Sequence, residues 1–160
     1  MRLLIKQKVF SFKDKYNIYN EDQQVVFKVE GRFFTLGAKI SLSDPDGNEL
    51  YYIEQQLFTW LPKYTIYKGR QKCAVISQRF SLIRHKLNVV SQYGSLDLDG
   101  DFFGMNFVIY RDHQYLGRIS KEWFAWGDTY VLDVAPDQDA AFFCALVIAI
   151  DNCLHNGSQY

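Results

Sequence analysis

DQDAAFFCALVIAIDNCLHN, residues 137–156, holds the longest apolar run in the chain, eleven residues from Ala140 to Ile150. A helix that crosses a bilayer needs about 20 apolar residues, so this run is too short to span one. An interfacial helix keeps a strongly polar face, whereas Phe142, Phe143, Leu146, Val147, Ile148 and Ile150 fall all round the helical circumference. A helix apolar on every side belongs inside something, so the rest of the chain must supply a wall around it.

The residues just upstream fit a helix start. APDQD at 135–139 offers a proline to stop the preceding strand and carboxylates for the free N–H groups of a first turn, with Asp137 the expected N-cap. From Asp137 to His155 the helix would run ~27 Å at 1.5 Å per residue, the interior length of a small barrel.

Composition and periodicity make that wall a sheet. The chain has 160 residues, 48% apolar and 22% charged, which suits one domain (1–160) with a real core. Aromatics reach 17%, with 13 Phe, 11 Tyr and 3 Trp, and such rings favour strands. Val25, Phe27 and Val29 alternate with Val26, Lys28 and Glu30. Leu36, Ala38, Ile40 and Leu42 alternate with Gly37, Lys39, Ser41 and Ser43, and Tyr130, Leu132 and Val134 alternate with Val131 and Asp133.

An internal repeat points the same way. FKVEGRFF (27–34) and LDLDGDFF (96–103) share an apolar-x-apolar-x-Gly-x-Phe-Phe pattern at an offset of 69. Polar turns follow at 43–49 and 111–114, then FTW or FAW, with Phe58 and Trp60 leading to Phe124 and Trp126 at an offset of 66. A duplicated β unit, roughly 16–67 and 85–134, is the expectation, with the helix at 137–155 threading the barrel that both halves form.

Charge is zero overall and uneven locally. Residues 55–96 carry seven basic groups and no acidic one, whereas residues 97–160 carry three basic and ten acidic groups. The central cations are Lys63, Lys68, Arg70, Lys72, Arg79, Arg84 and Lys86, interleaved with Tyr64, Tyr67 and Phe80, a mixture suited to phosphate head groups. The competing reading is a solvated strand surface paired with the acidic last third.

Chemistry-bearing motifs are sparse. Asp97, Asp99 and Asp101 match the start of a calcium loop, but Phe102 stands where glycine is required and Val108 where the bidentate Glu is required. Asp44, Asp46 and Asn48 fail likewise at Glu49 and Gln55, so hairpin turns are expected at both places. Cys73, Cys144 and Cys153 form no C-x-x-C pair and leave one over in any disulfide scheme, which suits a reducing compartment. The apolar stretch of MRLLIKQKVF stops at Lys6, too short for a signal peptide. Cys144 and Cys153 read as core fillers on opposite sides of the helix, and His85, His113 and His155 lie in unrelated settings. With no P-loop, dinucleotide glycine pattern, nucleophile elbow or zinc spacing, the expectation is no enzyme, no cofactor and no metal.

YNIYNEDQQVVFKVEG (16–31), LSDPDGNELYYIEQ (42–55), GDFFGMNFVIY (100–110) and GRISKEWFAWGDTYVLDVAPDQDAAFFCALVIAIDN (117–152) together resemble the LURP-one-related (YxjI-like) family, relatives of tubby C-terminal domains and phospholipid scramblases. The last block is the most specific: a Lys before the aromatic stretch, Gly-Asp-x-Tyr, and Asp-x-x-Phe leading into the apolar helix. The resemblance implies a mainly β fold, a closed antiparallel barrel of about twelve strands around a central hydrophobic C-terminal helix. It also implies phosphoinositide-like binding on a basic barrel wall, as in tubby domains. A likeness to the acidic segment of scramblases puts Asp133, Asp137 and Asp139 where calcium would bind, but the segment is shorter and less acidic, and helix capping is the preferred reading.

The functional expectation is a non-enzymatic cytoplasmic, peripheral-membrane domain that binds anionic phospholipid head groups through Lys68, Arg70, Lys72, Arg79, Arg84 and Lys86. The alternative is a protein-interaction or regulatory module in which Trp60, Trp123 and Trp126 dock a partner. Zero net charge and the acidic last third argue against nucleic acid.

Overall fold

In the computed structural model, which describes residues 1–6, 15–32, 36–79, 86–125 and 127–155, twelve strands precede one helix. The first six are β1 (Arg2–Lys6), β2 (Lys15–Asn20), β3 (Val25–Gly31), β4 (Lys39–Ser43), β5 (Glu49–Gln55) and β6 (Lys63–Lys68). The others are β7 (Gln71–Arg79), β8 (Lys86–Ser91), β9 (Gly94–Asp101), β10 (Asn106–Arg111), β11 (Gln114–Phe124) and β12 (Gly127–Val134), followed by α1 (Ala140–His155).

Every strand pairs antiparallel with its sequence neighbours, and β12 returns to β1, so the sheet closes into an up-and-down barrel with no free edge. The seam is tied at the end where the helix begins. Arg2 donates from Nε and Nη2 to the two carboxylate oxygens of Asp133 at 2.7 and 2.9 Å, and the Met1 ammonium donates to Val134 O at 2.6 Å.

The inward face of each strand meets the helix. Leu3 and Ile5, Val29, Ile40 and Leu42, Ile53, Tyr64 and Ile66, Ile76, Phe107 and Ile109, and Tyr130 and Leu132 join one core with α1. From Ala141 to Leu154 every helical residue is buried. The helix Ala140–His155 therefore fills the barrel's axis, spanning ~24 Å at 1.5 Å per residue.

The helix start differs from expectation in one residue. Asp139, not Asp137, is the N-cap: its Oδ1 accepts from Phe142 N at 3.0 Å, and its carbonyl accepts from Phe143 N at 3.1 Å. Asp137 sits in the preceding turn with φ 66°, which takes its carboxylate out of reach of the first helical turn.

Two other expectations are corrected. Leu36 lies outside β4 and is exposed, because Gly37 at φ 76° turns the chain before the strand begins at Lys39. Asp97, Asp99 and Asp101 lie along β9 itself, and the turn comes after them at 102–105, where Asp101 Oδ1 accepts from Gly104 N at 3.0 Å. The other acidic turn is a hairpin as expected, with Asp44 accepting from Asn48 N at 2.9 Å and from Asn48 Nδ2 at 2.7 Å. Those bonds favour the charged form and lower the Asp44 pKa. The glycine of LDLDGDFF has a local cause: Gly100 has φ 134°, and a Cβ there would stand 2.5 Å from Asn106 O and 2.8 Å from Phe107 Cα.

Candidate functional site

Up-and-down connection gives the barrel two distinct ends. The β4–β5, β6–β7, β8–β9 and β10–β11 turns lie at the end where α1 starts, and the β5–β6 and β9–β10 loops lie where it finishes. Hydrogen bonds mark both. At the first end the Tyr51 hydroxyl donates to Asp139 Oδ2 at 2.7 Å. At the second, Cys153 Sγ donates to Pro62 O at 3.4 Å, and a ring nitrogen of His155 lies 3.1 Å from Phe103 O.

This geometry divides the expected anion-binding residues. Lys68 ends β6, Arg70 is in the tight turn, and Lys72 begins β7, so these three exposed cations cluster at the helix N-terminal end. Lys68 Nζ lies over the Tyr51 ring, 5.5 Å from its centroid. Arg79 closes β7 about 23 Å further along, at ~3.3 Å per residue, and stands at the opposite end. Lys86 faces Arg79 in register on β8, and Arg84 lies outside the described residues. Lys63, which pairs in register with Ser77, belongs with Arg79.

The expected pairing with the acidic last third does not occur on this ribbon. Ion pairs among the described residues include Arg2–Asp133, Lys15–Glu30, Arg32–Glu49, Lys39–Glu54 and Asp151–His155. None uses Lys63, Lys68, Arg70, Lys72 or Arg79. The β6–β7 hairpin is thus a ribbon of cations without carboxylate partners, while β9 presents Asp97, Asp99 and Asp101 to solvent further round the ring.

The helix C-terminal end carries a feature that alternation did not reveal. Phe58 and Trp60 in the β5–β6 loop are wholly exposed, and Leu36 beside them is 80% exposed. Trp123, near the end of β11, and Phe103 in the β9–β10 loop are exposed at the same end, and Trp126 lies outside the described residues. Trp60 and Trp123 are thus surface residues, as the protein-interaction alternative requires, whereas the exposure of Phe58 and Leu36 is not marked by strand alternation.

Reactive chemistry is suppressed elsewhere. All three cysteines are buried; burial pushes the Cys153 thiol up to about 12 and raises Cys73 and Cys144 as well, so none is poised as a thiolate. Asp151 is buried on α1, and desolvation raises its pKa against the opposing pull of His155 and Tyr130. Asp133 and Asp139 are engaged by Arg2 and by the helix cap, and no cluster of three His, Cys, Asp or Glu suited to a metal occurs among the described residues. A cleft of about 300 Å³ beside the helix start is lined by Tyr93, Arg111, Asp137, Asp139 and Phe142, a mixture of both charge signs. Among the described residues no helix is long and apolar enough to cross a membrane.

A closed twelve-stranded antiparallel barrel wrapped round one hydrophobic C-terminal helix defines the tubby-like class of fold. The chain matches the LURP-one-related family over residues 1–151 and belongs to it. It is 36% identical over 156 residues to the uncharacterized protein YxjI of Bacillus subtilis (strain 168), covering 98% of this chain and 95% of that one. It is 21% identical over 174 residues to the protein LURP-one-related 14 of Arabidopsis thaliana, covering 95% and 84%. The X-ray structure of an Arabidopsis thaliana protein shares the fold at a TM-score of 0.68 and 18% identity, over 94% of this chain and 89% of that one.

Proposed function

We propose that the protein is a non-enzymatic intracellular binding barrel that docks peripherally on anionic phospholipid surfaces. The observation that carries this reading is the β6–β7 hairpin, which has cations without a carboxylate partner among the described residues at both rims of the barrel, Lys63 and Arg79 at one and Lys68, Arg70 and Lys72 at the other. Cations left unneutralised on a rigid wall attract an anionic surface by about 1 kcal/mol each when they lie near it, and the attraction fades with salt. The acidic groups of β9 stand one strand beyond β7's neighbour β8 and form no ion pair with the ribbon among the described residues.

Co-sedimentation of the protein with phosphatidylcholine vesicles, with and without phosphatidylserine, tests this. Binding confined to the anionic vesicles and weakened by salt is the expected result. Equal binding to both, or none, would rule it out.

A further inference from the structure

The β5–β6 loop, QLFTWLP at 56–62, is built as a rigid presenting turn. Its base is closed by Gln56 N donating to Lys63 O at 2.8 Å and by Gln56 Nε2 donating to Thr65 Oγ1 at 2.7 Å. Gln78 N and Cys153 Sγ both donate to Pro62 O, at 3.3 and 3.4 Å, which ties the loop to β7 and to the end of α1. Between the two aromatics, the Thr59 hydroxyl donates to Leu61 O at 2.8 Å within the loop. Phe58 is held at φ 58°, a backbone region unfavourable for a bulky side chain, and yet the ring it presents touches nothing in the barrel.

A loop so well anchored gains nothing in folding from two wholly exposed rings. Protruding rings of this kind fit a bilayer surface, where Trp is amphipathic enough to sit at the headgroup level and Phe can reach the acyl boundary. The surrounding charge fits too. Lys63 follows the loop directly, and Arg79 lies on the adjacent strand just past the Gln78–Pro62 bond; neither has a carboxylate partner among the described residues. The nearby Glu54 is already paired with Lys39 at 3.5 Å. The acidic wall of β9 is round the ring from this loop.

We propose that the β5–β6 loop is the membrane-contact tip of the barrel, with Phe58 and Trp60 entering the headgroup region of an anionic bilayer and Lys63 and Arg79 meeting its phosphates. The inference rests on the reading that the barrel docks on anionic phospholipid, and adds which end faces the membrane. In that orientation the Lys68–Arg70–Lys72 turn points away from the bilayer.

The test uses the full chain, vesicles of phosphatidylcholine with phosphatidylserine, and three variants matched for thermal stability to the parent. Phe58→Ser with Trp60→Ser should weaken vesicle binding about tenfold or more, the equivalent of losing one ring's apolar burial. Lys68→Gln with Arg70→Gln and Lys72→Gln should change it less. Vesicles containing brominated acyl chains should quench tryptophan emission of the parent, and Trp60→Phe should lose most of that quenching. Unchanged binding by the Phe58/Trp60 variant while the triple-lysine/arginine variant loses it would overturn the proposed orientation and leave membrane docking standing. Unchanged vesicle binding together with loss of a protein partner from the Phe58/Trp60 variant would overturn it equally. Absence of parent binding to any vesicle would overturn docking itself.

Discussion

Tyr51 on β5 and Asp139 at the head of α1 are joined by a 2.7 Å hydrogen bond, and the second carboxylate oxygen of Asp139 caps Phe142 N at 3.0 Å. One carboxylate thus fixes both the start of the helix and its height inside the barrel. The Tyr51 ring packs edge-on against Phe142 at 5.9 Å, so polar and apolar contacts hold the same register. Burial and the Asp139 bond together push the Tyr51 hydroxyl pKa well above its usual value, which keeps it a donor at any ordinary pH.

Asp139→Ala should therefore cost more than an ordinary cap, about 2–3 kcal/mol, since it removes a cap worth ~1 and strands the Tyr51 hydroxyl. Tyr51→Phe should cost about 1 kcal/mol, because the cap survives. Urea unfolding of both variants checks the ranking. A smaller loss for Asp139→Ala than for Tyr51→Phe would contradict it.

Ile148 lies at the middle of the buried helix with no solvent exposure, and Ala145 is equally enclosed. A charge at either place has no partner and no water, so Ile148→Asp or Ala145→Asp should prevent folding, with loss of near-ultraviolet circular dichroism and of the cooperative transition. Retention of both signals would show that the helix does not occupy the core.

Asp151 supplies a pH signature. Its carboxyl, raised to about 6 by burial, binds a proton more tightly folded than unfolded. Between about pH 4 and pH 6 the folded state then holds more protons, so this group's contribution lowers stability as pH rises through that window. Above it the penalty persists, at about 1–3 kcal/mol. Asp151→Asn should be more stable than the parent at pH 7, with the advantage shrinking towards pH 4. Melting temperatures at the two pH values decide it; an equal difference at both would mean that Asp151 is not the group responsible.

Gly100→Ala should lower stability by about 2–4 kcal/mol, since alanine meets both the positive φ and the neighbouring backbone of Asn106 and Phe107. Gly47→Ala, at φ 92° but with open space around it, should cost less. Chemical denaturation of the pair separates backbone strain from collision.

The fold was legible because its signals are periodic. Eleven apolar residues with no polar face can only be interior, and strands alternating as Ile40/Leu42 or Tyr130/Leu132 do must wrap whatever lies there. The candidate surface was legible only as a list of cations. Residues 63–79 form an antiparallel hairpin, so the ends of the segment, Lys63 and Arg79, meet at one rim while its middle, Lys68 to Lys72, turns at the other. Gly69 between Lys68 and Arg70 was the one local sign of that reversal. Placing the helix cap depended on local geometry: Asp137 and Asp139 are equivalent as residue types, but Asp139 Oδ1 accepts from Phe142 N while Asp137 sits in the preceding turn at φ 66°.

The central functional claim is that cations without carboxylate partners at one rim of the β6–β7 hairpin hold this barrel on anionic lipid. Vesicle partitioning of the parent across a salt series addresses it most directly. The partition coefficient onto phosphatidylserine-containing vesicles should fall steeply as salt rises, and phosphatidylcholine vesicles should bind far less protein at every salt concentration. Partitioning that is indifferent to salt and to phosphatidylserine would contradict the claim.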